Sequence, residues 1–164
     1  ESPKLVALDT MNFWIEGSRD ALLKVLKRID LLVINDGELK LLSGETSIPA
    51  GVKKVLEMGP TSIIVKRGEF GSILFHDDSY FFVPGFPEAG VVDPTGAGDS
   101  FAGGFMGALA KMGTATTENL RKAMAFGSVA ASYNITDFGP WKLAGLTPLE
   151  IQTRFDAFRE LVRF

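Results

Sequence analysis

The sequence predicts an α/β fold with a largely parallel sheet, and three observations carry that prediction. Short apolar, strand-like runs alternate with segments of helical period from the start of the chain. Polar residues stand directly after those runs, at Asp9, Asn35, Lys66 and the loop at Asp93. Ligands of open α/β sheets bind beyond the carboxyl ends of the strands, so these positions are expected to gather at one edge. Finally, 164 residues with 46% hydrophobic content and 13 Phe suffice for one domain with a buried core.

The elements follow in order. "KLVALD" (4–9) reads as a buried strand ending in an acid, and "GSRDALLKVLKRI" (17–29) as a helix with Leu22, Leu23, Leu26 and Ile29 on one face. "DLLVIN" (30–35) is a second strand, and "DGELKLLSG" (36–44) a short helix closed by Gly44. A helix over 50–60 stops at Gly59-Pro60, before a third strand, "TSIIVK" (61–66). "SILFH" (72–76) and "YFFVP" (80–84) form a hairpin turning at Asp77, Asp78 and Ser79. Helices return over 99–112 and 117–134. A last one starts at "TPLE", with Thr147 as cap, Pro148 first in the helix and Glu150 completing a capping box. No internal repeat or linker interrupts the chain.

Composition excludes several functions. A net charge of −3 with scattered Lys and Arg offers no basic stripe for a nucleic acid. With no Cys and a single His, His76, there is no disulfide framework, zinc cluster or thiol nucleophile, and a Ser-His-Asp machine is not expected. His76 itself reads as a solvated neighbour of the turn. No apolar run has the length of a membrane span and no signal peptide opens the chain, so a cytoplasmic protein without membrane partners is expected. The opening "ESPKLVALD" lacks Met and enters a strand almost at once, as in a processed chain or a piece of a longer one.

The most informative stretch is "DPTGAGDSFAGGF", from Asp93. Gly96 and Gly98 allow positive φ and close approach of a ligand to the backbone. The chain then enters a helix whose first amides are unpaired and lie at the positive end of the helix dipole, an arrangement suited to phosphate. Asp99 beside such a phosphate would accept the proton of an attacking hydroxyl, while on spacing alone the stretch is equally a capped glycine turn. It is not a P-loop, since G-x-x-x-x-G-K-[ST] is absent. The dinucleotide fingerprint fails because Phe101 stands where its third Gly belongs, which removes a Rossmann oxidoreductase.

"DPTGAGDSFAGGF" closely resembles the D-x-x-G-A-G-D signature of the ribokinase-like (PfkB) carbohydrate kinases. The resemblance implies a three-layer ribokinase-like sandwich, of which residues 1–164 are the C-terminal part of a single α/β domain, the N-terminal substrate and lid portion being absent. It implies an anion hole at Gly96, Ala97 and Gly98, flanked by Thr95, with Asp99 as catalytic base. "NDGE" reads alone as a capping box, but resembles the family's N-x-x-E motif, which implies a water-mediated Mg²⁺ role for Asn35 and Glu38; both roles are compatible. "VKRGEFGS" resembles the family's strand followed by G-x-x-G, which places Lys66 near a phosphate and Gly68 and Gly71 beside the nucleotide, or else is a surface Lys before a hairpin glycine. "AFGSVAASYN" resembles the helix bordering the adenine pocket, which implies a nucleotide contact for Gly127 and Ser128 or simply helix packing. "DTMN" (9–12) differs in spacing from the family's Asp-x-Asn element.

The expected function is therefore ATP-dependent phosphoryl transfer to a hydroxyl of a sugar or nucleoside, with ATP and Mg²⁺ as cofactors, K⁺ as a candidate monovalent cation, and homo-oligomer formation left open. The alternative is a nucleotide-binding but catalytically inactive fragment or regulatory module, since most acceptor-side elements of the family have no counterpart here.

Overall fold

The computed structural model describes residues 3–163. They form two compact units, one running to Gly68 and resuming over Ser72–Phe82, the other taking Glu69–Gly71 and continuing from Val83.

The first unit holds a five-stranded sheet whose strands lie side by side in chain order: β1 (Ala7–Asp9), β2 (Leu31–Asn35), β3 (Ser62–Lys66), β4 (Ser72–His76) and β5 (Ser79–Val83). β1, β2 and β3 are parallel, and β3 and β4 antiparallel. Connection length explains the switch. Helices α1 (Asn12–Gly17) and α2 (Arg19–Leu26) return the chain from β1 to β2, and α3 (Asp36–Ser43) and α4 (Ile48–Leu56) return it from β2 to β3. Between β3 and β4 there is only a single 3₁₀ turn, Gly68–Phe70, too short for a crossover. β4 and β5 meet through Asp77 and Asp78 at φ 48° and 54°, the paired left-handed residues of a type I′ hairpin, whose twist suits the strands.

Leu32, Ile34, Ile63 and Val65 project from one face of the sheet into a core completed by Ile15, Leu26, Leu39 and Val55 of the four helices. Leu31, Val33 and Ile64, their alternates, are buried as well. That accounts for the unbroken apolar runs read in β2 and β3, as parallel strands require.

Several boundaries differ from expectation, β1 starting only at Ala7 where a strand was expected from Lys4. The first helix expected over 17–29 is instead α1 and α2, broken at Ser18, because the bulky "NFWIEG" turn is already helical from Asn12. α4 starts at Ile48 rather than Ala50: Ser47 caps it, its Oγ accepting the Ala50 amide at 3.4 Å, with Pro49 in the first turn.

The second unit is helical: α5 (Ala97–Met112), α6 (Thr117–Asn134), the short α7 (Trp141–Ala144), which the sequence did not announce, and α8 (Pro148–Leu161). α5 and α6 form an antiparallel pair that closes most tightly at two glycines. A Cβ on Gly104 would stand 2.7 Å from the Ala130 Cβ, and one on Gly127 would stand 2.8 Å from the Phe101 carbonyl. α8 begins with the expected capping box, Thr147 Oγ1 accepting the Glu150 amide and Glu150 Oε2 accepting the Thr147 amide. It docks through Phe155, stacked on Phe126 at 4.1 Å between centroids, and through Arg154. The Arg154 guanidinium lies 3.6 Å from the Tyr133 ring centre, pairs with Glu88 at 3.2 Å and donates to Ser132 Oγ at 3.1 Å. Among the described residues no helix is long and apolar enough to cross a membrane.

Candidate active site

In the second unit the Asp93 loop leads into α5 through Gly96, which serves as N-cap at φ 79°. Only glycine takes that conformation without a Cβ penalty. A glycine cap also has no side chain, and no side-chain cap bond is made. The amides of Gly98 and Asp99, which a Ser or Asp cap would engage, therefore receive no acceptor from a cap side chain. Gly98 lies inside the first helical turn, so of the two glycines only Gly96 uses a positive φ. The helix begins at Ala97, two residues earlier than expected, and this places Asp99 in its first turn, exposed.

The loop is shaped from both sides. Asp93 Oδ1 accepts the Thr95 amide at 2.9 Å, and that bond holds the Asp93 carboxyl below its ordinary pKa. Pro94 O accepts the Ala97 amide and Gly96 O the Ser100 amide. Asn134, the last residue of α6, spans the turn, donating from Nδ2 to Thr95 O at 2.8 Å and accepting Ser100 Oγ at Oδ1 at 2.9 Å. Nothing in the sequence singled Asn134 out: it stands 39 positions from Thr95 and reads as an ordinary helix-ending residue. Gly127 and Ser128, a turn or two earlier in α6, are both engaged in packing, Gly127 against Phe101 and Ser128 through a 3.0 Å bond from Oγ to Pro84 O. Gly71 stands at φ 84°, where a Cβ would run into the backbone of Val83 and Pro84.

In the first unit three strand ends carry the polar residues. Asn35 and Lys66 are register partners across β2 and β3. Asn35 Oδ1 accepts the Glu38 amide at 2.8 Å and Glu38 Oε2 accepts the Asn35 amide at 3.1 Å, so the anticipated capping box is present. Glu38 is 7% exposed. Burial raises its pKa, opposed by the Asn35 amide bond and by nearby Lys66. Lys66 Nζ bonds both carboxylate oxygens of Asp9, at 3.0 and 2.8 Å. That fork explains Asp9 and Lys66 better than a surface lysine does. Gly68 opens the 3₁₀ turn with no heavy atom within 4 Å of its would-be Cβ. His76 is not the solvated neighbour expected: Nδ1 meets Ser62 Oγ at 2.8 Å, and Nε2 lies 3.2 Å from Asp77. Among the described residues no three His, Asp or Glu side chains cluster as a metal site. Asn35 and Glu38 offer an amide and a carboxylate oxygen, donors of the hard type that Mg²⁺ and its waters accept.

A glycine-capped helix start beside an exposed carboxylate, in an α/β chain, is an arrangement suited to an anion such as phosphate. The chain belongs to the pfkB family of carbohydrate kinases, whose sequence profile matches residues 4–142. It is 37% identical over 117 residues to a bifunctional ribokinase/ribose-5-phosphate isomerase A of Fructilactobacillus sanfranciscensis, covering 68% of this chain and 21% of that one. To a cytidine kinase of Thermococcus kodakarensis it is 28% identical, covering 76% of this chain and 44% of that one. Its fold superposes with a TM-score of 0.69 on a putative ribokinase II of E. coli in complex with ATP and Mg²⁺, at 32% identity over 88% of this chain and 44% of the other. The chain thus spans less than half the length of these relatives.

Proposed function

We infer that this chain serves ATP-dependent transfer of a phosphoryl group to a hydroxyl of a sugar or nucleoside. The observation that carries the reading is the helix start at Gly96, with no side-chain cap and with Asp99 in the first turn. The ribokinase and cytidine kinase among its relatives favour those two acceptor classes, and the cytoplasm, where ATP is at hand, is the setting the reading assumes.

Each residue then has a task. The amides of Gly98 and Asp99, with Gly96 and Ala97 shaping the turn, hold the phosphoryl oxygens and their developing charge. Asp99 takes the hydroxyl proton as the acceptor oxygen bonds to phosphorus and the bond to the departing diphosphate breaks. Asn35 and Glu38 orient water around a cation, and Lys66, held by Asp9, offers positive charge. Mg²⁺, when bound, neutralises phosphate charge. Thr95, Gly68, Gly71, Gly127 and Ser128 shape the backbone around the nucleotide. In the same reading the chain is the ATP-side portion of a single ribokinase-like domain.

The test is Asp99→Asn in the full protein, assayed against sugars and nucleosides with and without K⁺. ATP affinity should persist while kcat falls ~10²–10⁴-fold, the usual worth of a positioned base. Near-native turnover would defeat the assignment. ATP binding with no turnover in the parent would favour a nucleotide-binding module.

A further inference from the structure

We propose that Asn134 is a positioning residue for the phosphate turn, acting through Thr95 and Ser100 rather than on substrate; the proposal rests on the functional reading above. Its two bonds land on either side of Gly96, Ala97, Gly98 and Asp99, so that one side-chain amide clamps the whole segment read as anion hole and base. The residue is 3% exposed, and a polar group so buried is costly unless both its donor and its acceptor are met. Here both are. Ile135, next in the chain, extends the same support, its carbonyl accepting the amides of Val92 at 2.7 Å and Asp93 at 3.3 Å. Because Gly96 has no side chain with which to fix its own left-handed turn, the fixing falls to α6.

The chemistry of an amide makes this testable. Asn134→Asp keeps size and shape but, when ionised, sets an acceptor against the Thr95 carbonyl. When protonated, the introduced carboxyl again supplies one donor and one acceptor. Burial and the facing carbonyl hold its titration above the ordinary Asp value of about 3.9. Asn134→Asp should therefore bind ATP ~10-fold or more weakly at neutral pH, the effect of a buried hydrogen bond turned repulsive. Affinity should return towards that of the parent as pH falls through the titration of the new carboxyl. Each pH is referred to the parent, which carries the same Asp93, Asp99 and Asp137. Ser100→Ala, which removes one arm, should weaken ATP binding without the pH rescue. A role in stability alone would lower the melting temperature but leave ATP affinity unmoved at temperatures where the variant is folded.

The measurements are calorimetric titration with ATP and amide hydrogen exchange over 95–99, on the whole chain. Parent-like ATP affinity in Asn134→Asp across the pH range overturns the proposal, as does a loss that low pH does not relieve. Gly98→Val separates this from the functional reading. If that variant binds ATP as the parent does, or the parent binds none, the anion-hole reading falls and exchange decides the matter. Faster exchange over 95–99 in Asn134→Asp at neutral pH, relieved at low pH, supports the clamp, and unchanged exchange refutes it.

Discussion

Glu38 is pulled two ways by its surroundings. Its carboxylate is useful to the Asn35 amide, yet burial raises its pKa. A carboxyl that holds its proton more tightly when folded favours folding while protonated, and that contribution is lost as pH rises through the raised value. Gln at this position can still accept in the capping box but has no charge to bury. Glu38→Gln should therefore melt progressively higher relative to the parent as pH rises from the ordinary Glu value of 4.5 through the raised one, read by circular dichroism. A gap that narrows instead would mean the ionised form is favoured on folding. If the same carboxylate orders water on Mg²⁺, the variant should also require more Mg²⁺ for half-maximal turnover; a titration that does not move would leave only the cap. The Asn35–Glu38 capping box and the glycine cap at Gly96 were legible in the sequence because each is built from residues a few positions apart. Asn134 and the Asp9–Lys66 fork were not, because folding brings their partners from 39 and 57 positions away.

At the level of elements, the two long helices show how glycine can be required in one place and wasteful in another. Gly127 meets the Phe101 backbone too closely for a Cβ, whereas Gly107, in mid α5, has nothing within 4 Å. Gly127→Ala should destabilise by about 1–3 kcal/mol through overpacking. Gly107→Ala should stabilise by about 0.5–1 kcal/mol, because it stiffens the unfolded chain and suits the helix. Urea unfolding of both variants checks this, and equal shifts would mean the helices are not in close contact. Strands β2, β3 and β4 were read from their apolar runs within a residue of their ends. α1 and α7 escaped because neither has a side-chain cap, and six or four residues show too little period to recognise.

For the molecule as a whole, β1 lies at one end of the sheet and, among the described residues, no strand pairs with its outer edge. Met11, Phe13 and Trp14, just after it in the chain, are exposed. An unpaired edge next to apolar side chains invites association. The 164-residue chain should therefore gain apparent mass with concentration in light scattering, and Phe13→Lys should reduce the gain. A monomer at every concentration would refute the expectation. The alternation of strands and helices gave the α/β class; its division into two compact units went unread, although the Gly- and Pro-rich stretch "PGFPEAGVVDPTGAG" (84–98) begins where the second unit takes over.

The Arg154 guanidinium resting on the Tyr133 ring also gives this protein an internal reporter. A circulating π-electron current shields nuclei held above the ring plane. The Arg154 side-chain protons should therefore resonate upfield of those of the other arginines, and return to ordinary values once α8 detaches. That one resonance would then follow the attachment of α8 by itself, separately from the unfolding of the rest of the chain.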